Sequence, residues 1–181
     1  MAAFCVWAFG GRFFESEKTM YAGCAAVFLG LGGLALTPGS GLKEKGAVPR
    51  FCLAFAVAFV VYSLIWSVAW FTFRNTFGEI VGSFAGLLGL VAVVRAWMKF
   101  TFPLLTATAV VFLWHTLGYY TGGFLYDSIQ GRGAVGFDFI ASEPFAPLAA
   151  KLAWGLFYGL GLGLGLGSLL QMSRQTLRSP S

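Results

Sequence analysis

The feature that most constrains this chain is an apolar stretch from Phe51 to Phe73 that contains no charged side chain. A helix needs about 20 mostly apolar residues to cross the hydrocarbon core of a bilayer. Hydrocarbon offers no hydrogen-bond partner to backbone N–H and C=O groups, so a crossing segment must satisfy these groups internally. The stretch therefore predicts a transmembrane α-helix.

Four further runs have similar length and apolarity, and breakers such as Pro38-Gly39 separate them. The five predicted spans are 19–36, 51–73, 79–98, 102–123 and 147–172. Strict alternation of the kind found in barrel strands occurs only in 159–167, inside a longer apolar run that we interpret as helical. The chain is thus predicted to be an all-α, polytopic integral membrane helix bundle, with residues 1–181 forming one domain.

Composition supports this prediction and excludes several classes of protein. Hydrophobic residues make up 58% of the chain and charged residues 10%, whereas soluble domains have about half and about a quarter. A water-soluble enzyme of this size needs more charged residues on its surface, so this class is excluded. A disordered chain is excluded because it would have low hydrophobicity. The net charge of +5 is spread thinly along the chain, so nucleic acid is not an expected partner. The expected partner is the lipid bilayer.

The segments outside the spans have separate predictions. Residues 1–14 are apolar but too short to span, and we expect an interfacial helix or a half-inserted segment. Residues 124–146 are expected to form an outer loop, and residues 173–181 a cytoplasmic tail.

Basic residues predict the orientation, because Lys and Arg are enriched on the cytoplasmic side of a membrane protein. One side carries Arg12, Lys18, Arg74 and Arg132, and also Lys151 if the fifth span begins after it. The other side carries Lys43, Lys45, Arg50, Arg95, Lys99, Arg174 and Arg178. The protein is therefore predicted to be a multi-pass membrane protein with its N-terminus outside and its C-terminus in the cytoplasm.

Glycines at four-residue spacing predict where the helices pack, because small residues let backbones approach closely in lipid. The predicted packing residues are Gly78, Gly82 and Gly86 in the third span and Gly155, Gly159, Gly163 and Gly167 in the fifth. Gly161 and Gly165 fall roughly opposite the second set. The fifth span is thus grooved on two faces, with room for two close neighbours such as the third span and a helix of another subunit. Ordinary packing within the five-helix bundle is one interpretation of these glycines, and an oligomer interface, a pore-lining helix or a hinge in a gating helix is the functional alternative.

Ionisable residues inside a membrane are candidates for function because their burial is costly. One hypothesis is a proton or ion relay through Glu79, Ser83, His115 and Tyr119. The competing interpretation is structural: Glu79 pairs with Arg74 at the start of its helix, Asn75 or Thr76 caps that helix, and His115 donates one hydrogen bond in the bundle.

Cofactor chemistry has little support in the sequence. His115 is a candidate ligand for a pigment that needs a single ligand, and bound lipid would suit the many phenylalanines, but the sequence requires no cofactor. Cys5, Cys24 and Cys52 have spacings that fit no zinc site or redox pair. A lone histidine without a G-x-S-x-G motif gives no hydrolase constellation, so we expect neither a catalytic nor a metal site.

Two functions follow from these patterns. The first is a non-catalytic membrane subunit that packs through its glycine-rich helices into a homo-oligomer or a larger membrane complex. The alternative is a small ion channel or proton-coupled transporter that uses Glu79 and His115.

Overall fold

The computed structural model describes residues 2–10, 13–41, 45–133 and 135–178, with side chains as far as residue 175. Arg12, Lys43 and the side chain of Arg178, which the predicted orientation uses, lie outside this description. The seven α-helices of the described residues are α1 (Ala2–Phe9), α2 (Glu17–Leu36), α3 (Ala47–Phe73), α4 (Thr76–Met98), α5 (Leu104–Ile129), α6 (Asp138–Ala141) and α7 (Ala146–Arg178). A 3₁₀ turn, Thr37–Ser40, follows α2, and the described residues contain no strand. The predicted all-α class is confirmed.

Four helical segments are long and apolar enough to cross a bilayer, so the protein is an all-α membrane bundle. They are Glu17–Ser40, Ala47–Phe73, Thr76–Met98 and Ala146–Gln175. Most of the remaining predicted span, 102–123, lies in α5, which has 26 residues but is not one of the four. The second half of this predicted span carries His115, Tyr119 and Tyr120, which dilute its apolar character. Its crossing of the membrane stays a prediction.

The helix bounds differ most from the predicted spans at the ends of α5 and α7. The fifth span was predicted to end at 172 and to be followed by a tail, but α7 continues to Arg178. The outer loop was expected to begin at residue 124, but α5 continues to Ile129. The chain between α5 and α7 also contains α6. The predicted boundary rests on the polarity of the residues after 123. In the additional turn of α5 the ring of Tyr126 stacks on that of Trp7, with 6.1 Å between the ring centroids. Tertiary packing thus extends the helix beyond its apolar residues.

Contacts divide the chain into two units: a first unit of Met1–Phe28 and His115–Gly163, and a second unit of Leu29–Trp114 and Leu164–Ser181. The helices α2, α5 and α7 each contribute to both units.

The second unit is built on the α3–α4 hairpin. Arg74 ends α3 in the left-handed region with φ of 50°, and Asn75 then begins α4. The Asn75 side chain accepts a hydrogen bond from the backbone N–H of Gly78 at 3.0 Å, which satisfies one free donor of the first turn. The prediction that Asn75 or Thr76 caps this helix is confirmed for Asn75.

In the second unit, glycines also allow close contact between α2 and α3 and between α7 and α5. A Cβ built at Gly33 of α2 would lie 3.2 Å from the Cα of Cys52 in α3. A Cβ built at Gly165 of α7 would lie 3.1 Å from the carbonyl oxygen of Val111 in α5. Gly165 thus faces α5, and the glycines of α4 face α3. Packing of the third span against the fifth stays a prediction.

In the first unit α5 and α7 approach each other most closely at Gly118. A Cβ there would lie 2.5 Å from the carbonyl oxygen of Phe157 and 2.9 Å from the Cα of Gly161. Gly122, one turn later, is similarly close to Trp154, with a Cβ to carbonyl oxygen distance of 3.0 Å. Backbone-to-backbone contact of this kind is what small residues permit in a membrane bundle.

Candidate functional site: an aromatic cluster around His115

Three helices of the first unit bring aromatic rings together around the one histidine of the chain. The spacing of four residues between His115 and Tyr119, and between Trp154 and Tyr158, places each pair on one face of its helix. The short helix α1 adds two more rings. The aromatic cluster consists of Phe4, Trp7, His115, Tyr119, Tyr126, Trp154 and Tyr158.

His115 lies between two tyrosines. Its ring is nearly parallel to that of Tyr119, with centroids 6.0 Å apart and an interplanar angle of 10°. Tyr158 approaches edge-on, with a centroid distance of 5.5 Å and an angle of 77°. Only 2% of His115 is exposed. An imidazole and a phenol can each donate and accept a hydrogen bond, so these are the side chains of the cluster that can exchange protons.

Trp154 connects the rings of α1 and α5 within the cluster. Its ring contacts Tyr119 at 6.1 Å, Tyr126 at 5.3 Å and Trp7 at 5.9 Å between centroids. Its Nε1 is buried, and no atom of the described residues accepts a hydrogen bond from it. Aromatic pairs in such tilted arrangements each contribute about 0.5–1.5 kcal/mol beyond their burial. These ring contacts therefore stabilise the packing of α1 against α7.

Two cations border the cluster. The Nζ atom of Lys151 lies 4.8 Å from the centroid of the Trp7 ring and donates to the Trp7 carbonyl oxygen at 3.4 Å. The guanidinium carbon of Arg132 lies 5.4 Å from the Tyr126 ring. Arg132 also forms a 4.0 Å ion pair with Asp127, but both side chains are more than half exposed, so this pair adds little. The rings of Trp7 and Tyr126 thus each have a cation close to their face, Lys151 and Arg132 respectively.

The four predicted relay residues divide between the two units. His115 and Tyr119 belong to the first unit and are neighbours in the cluster. Glu79 and Ser83 belong to the second unit. Glu79 is half-buried in the first turn of α4, and Ser83, one turn later, is 7% exposed. The relay through all four residues stays a prediction, as does pigment ligation by His115.

The predicted packing glycines of α4 all lie against α3. A Cβ built on them would lie 2.8 Å from the Cβ of Phe73 for Gly78, 3.2 Å from the carbonyl oxygen of Trp66 for Gly82, and 3.0 Å from that of Tyr62 for Gly86. All three are buried.

The predicted glycines of α7 have different surroundings. Gly155 is buried against Phe4, and Gly159 is half-buried. Gly163 and Gly167 are exposed, and a Cβ built on either would meet no described atom within 4 Å. The stripe therefore begins in contact with α1 and ends on an open face.

Sequence reasoning missed two features of the first unit. The pair Gly118 and Gly122 has the same four-residue spacing as the predicted stripes, so the signal was present in α5. The docking of Phe4 and Trp7 on α7 had no comparable signal, because it depends on which rings face the same space after folding.

Within the described residues no group of three or more His, Cys, Asp or Glu side chains is placed to hold a metal ion. Comparisons with protein-family models, curated proteins and solved structures found no match to this chain.

Proposed function

We propose that the protein is a non-catalytic membrane subunit that assembles with a second helix through the open glycine face of α7, into a homo-oligomer or a larger membrane complex. The observation that carries this proposal is the open space beside Gly163 and Gly167, where an added Cβ would meet no atom of the described residues within 4 Å. By contrast, Gly155 is covered by Phe4 and Gly165 by Val111.

A glycine on an exposed helix face destabilises the helix unless another helix packs against it. Glycine costs about 0.8–1.0 kcal/mol relative to alanine in a helix interior. The close approach of another helix compensates for this cost, since association in lipid depends on packing and not on the hydrophobic effect. Exposed Leu160 and Leu164, on the same helix, provide apolar side chains beside the bare backbone. An open pair of glycines one turn apart thus supports a partner helix.

The test is the substitution Gly163→Leu, which fills the open face. The described structure has room for this side chain, so the fold should persist while the assembled species dissociates in native mass spectrometry from a mild detergent. Gly30→Leu is the matched control, because Gly30 of α2 is equally open and exposed. Normal assembly of the Gly163→Leu protein, or loss of assembly in the Gly30→Leu protein as well, would contradict the proposal.

The orientation belongs to the same proposal: the N-terminus lies outside and the C-terminus in the cytoplasm. Its support among the described residues is the basic set Lys45, Arg50, Arg95, Lys99 and Arg174, which the five-span topology places on one side.

A second candidate, proton-coupled transport, is favoured by one observation. His115 is the only histidine of the chain, and it is almost fully buried between two phenol rings. Histidine is the side chain whose charge changes most readily near physiological pH. We propose testing this candidate with proteoliposomes carrying a trapped pH dye. If Glu79 and His115 form a relay, His115→Ala and Glu79→Gln should each abolish proton flux, whereas Thr116→Ala, the neighbouring position, should not. Unchanged flux in both variants would remove this candidate.

A further inference from the structure

A cavity of about 420 Å³ lies where the last turns of α7 meet the 3₁₀ turn of the second unit. Its lining residues are Gly39, Gly167, Gln171, Arg174 and Gln175. The volume is within the range of about 300–1,000 Å³ that is usual for small-molecule sites. The described lining residues include one cation and two amides and no acidic side chain, so the cavity suits an anion.

Arg174 is held in place at the edge of this cavity. Its Nη2 atom donates a hydrogen bond to the carbonyl oxygen of Pro38. Its aliphatic part lies along Gly41, where an added Cβ would be 3.3 Å from the Cγ of Arg174, and Gly41 has φ of +72°. A guanidinium has five N–H donors in a fixed plane. One contact therefore orients the group while its other donors can bind an anion.

The two glutamines extend the polar surface on either side of Arg174. Gln171 and Gln175 are four residues apart and so lie on one face of α7, and both are exposed. Their amide N–H groups can donate to phosphate or ester oxygens. Gly167, one turn before Gln171, has no side chain to obstruct the same face.

The surface becomes apolar along the helix from this polar end. Leu164 is 50% exposed, and it precedes Gln175 by about 16 Å at 1.5 Å per residue. The apolar run of α7 gives way at Gln171 to a stretch that includes the polar residues Ser173, Arg174 and Gln175. A cavity with a cation at this boundary, beside exposed apolar side chains, has the polarity of a phospholipid whose headgroup lies at the membrane surface.

The charge at the cavity comes from Arg174, the one charged side chain among its described lining residues. Glu79 is the acidic side chain of the second unit among the described residues; it lies in the first turn of α4 and does not line the cavity. The described lining therefore favours an anionic headgroup.

We propose that the cavity binds the headgroup phosphate of an anionic phospholipid, with the guanidinium of Arg174 on the phosphate. Arginine suits this role because its planar fork can make two parallel hydrogen bonds to phosphate oxygens. Basic pockets between membrane helices at the bilayer surface are a recognised way to bind anionic lipids.

The experiment measures lipid binding to the full-length, delipidated protein by native mass spectrometry, with phosphatidylglycerol and phosphatidylcholine as the probes. The wild type should bind phosphatidylglycerol about tenfold more tightly than phosphatidylcholine, because only phosphatidylglycerol carries a net negative charge that the arginine can pair with. Arg174→Gln should abolish this preference, and Arg174→Lys should retain part of it, because lysine keeps the charge but not the fork. Arg95→Gln is the matched control: it removes an equal charge from the same unit outside the cavity, and it should keep the preference.

A second variant keeps the test decisive if Arg174→Gln unfolds when its contact to Pro38 is lost. Gln171→Leu leaves the arginine in place and should weaken phosphatidylglycerol binding about threefold, as expected for one neutral hydrogen bond. Equal binding of the two lipids by the wild type, an Arg174→Gln protein that keeps the preference, or an equal loss in Arg95→Gln would each overturn the proposal. Displacement of the lipid by millimolar inorganic phosphate would also overturn it and assign the cavity to a free anion.

Discussion

Phe4 of α1 lies directly against the bare Cα of Gly155 in α7. A Cβ built on Gly155 would come closer than 3.0 Å to the Cβ, Cγ and Cδ1 atoms of Phe4. Real Cβ atoms do not approach other atoms this closely, so the absence of a side chain at Gly155 is what admits α1 to its position. Phe4 then completes its contacts with the rings of Trp154 and Tyr158, at 6.2 and 5.9 Å.

The first prediction follows from this contact. Gly155→Ala should displace α1 at a cost of about 1–3 kcal/mol, the usual penalty for overpacking, although alanine raises helix propensity by up to about 1 kcal/mol. Hydrogen exchange of the backbone amides of 2–9 should accelerate, while that of α4 should not change. Adding Phe4→Ala to Gly155→Ala removes the clash, so the two substitutions should be strongly non-additive.

Gly163→Ala is the control for the first prediction, because this glycine is on the same helix and a Cβ there would meet no described atom within 4 Å. Its amide exchange in α1 should match the wild type. If Gly155→Ala leaves the exchange of 2–9 unchanged, the docking of α1 described above is incorrect.

The second prediction concerns Gly118, where α5 and α7 meet backbone to backbone. Gly118→Ala would place a methyl group 2.5 Å from the carbonyl oxygen of Phe157. A backbone atom cannot rotate away as a side chain does, so the helices must separate, and the unfolding free energy in detergent should fall by about 2–3 kcal/mol. Gly123→Ala, an open position on the same helix, should be neutral or slightly stabilising. Equal stability of the two variants would exclude the close approach.

Much of α4 could be predicted from the sequence because its signals are local. The Asn75 cap depends on a side chain and a backbone amide three residues apart, and the Gly78, Gly82 and Gly86 spacing places small residues on one face. What could not be predicted is the partner of that face. Any neighbouring helix can cover a glycine stripe, and the structure shows that α3, the preceding helix in the chain, does so.

The third prediction compares two glycines on α4. Gly86 faces the backbone carbonyl oxygen of Tyr62 at 3.0 Å from an added Cβ, whereas Gly89 faces only side-chain tips, the Cδ1 of Ile65 at 2.9 Å and a methyl of Val61 at 3.0 Å. Gly86→Ala should therefore lower the unfolding free energy by about 1–3 kcal/mol, and Gly89→Ala should change it by less than about 1 kcal/mol because those side chains can shift. A thermal melt of both proteins in one detergent checks the difference. A larger loss in Gly89→Ala would reverse the assignment of the α3–α4 interface.

The aromatic cluster was only partly accessible to sequence reasoning. His115 and Tyr119 share a helix face by their spacing, and that pairing is present. Tyr158, Trp154 and Trp7 reach the same place from distant parts of the chain. Their meeting depends on how α7 and α1 rotate about their axes, which periodicity does not determine when every face of a helix is apolar.

The fourth prediction concerns Lys151, which joins the start of α7 to α1. Lys151→Met keeps much of the aliphatic chain but removes the charge over the Trp7 ring and the hydrogen bond to the Trp7 carbonyl oxygen. A cation–π contact contributes about 0.5–2 kcal/mol, so the N-terminal segment should become about 2- to 30-fold more sensitive to limited proteolysis. Lys151→Arg should resemble the wild type, because arginine retains the charge and a donor. Cleavage of Lys151→Met at the wild-type rate would show that the contact does not hold α1.

The fifth prediction decides whether α5 crosses the membrane. If it does, Lys99 before α5 and Val135 after it lie on opposite sides of the bilayer; if α5 lies along the surface, they are on the same side. Both residues are exposed, Val135 at 54%. Cys5, Cys24 and Cys52 are free thiols, so they are first replaced by alanine, and a cysteine is then introduced singly at 99 or 135. In sealed inside-out vesicles a membrane-impermeant maleimide should label Lys99→Cys and not Val135→Cys, with both labelled after detergent is added. Labelling of both, or neither, before detergent would reduce the number of crossings to the four apolar segments and place the two ends of the chain on one side.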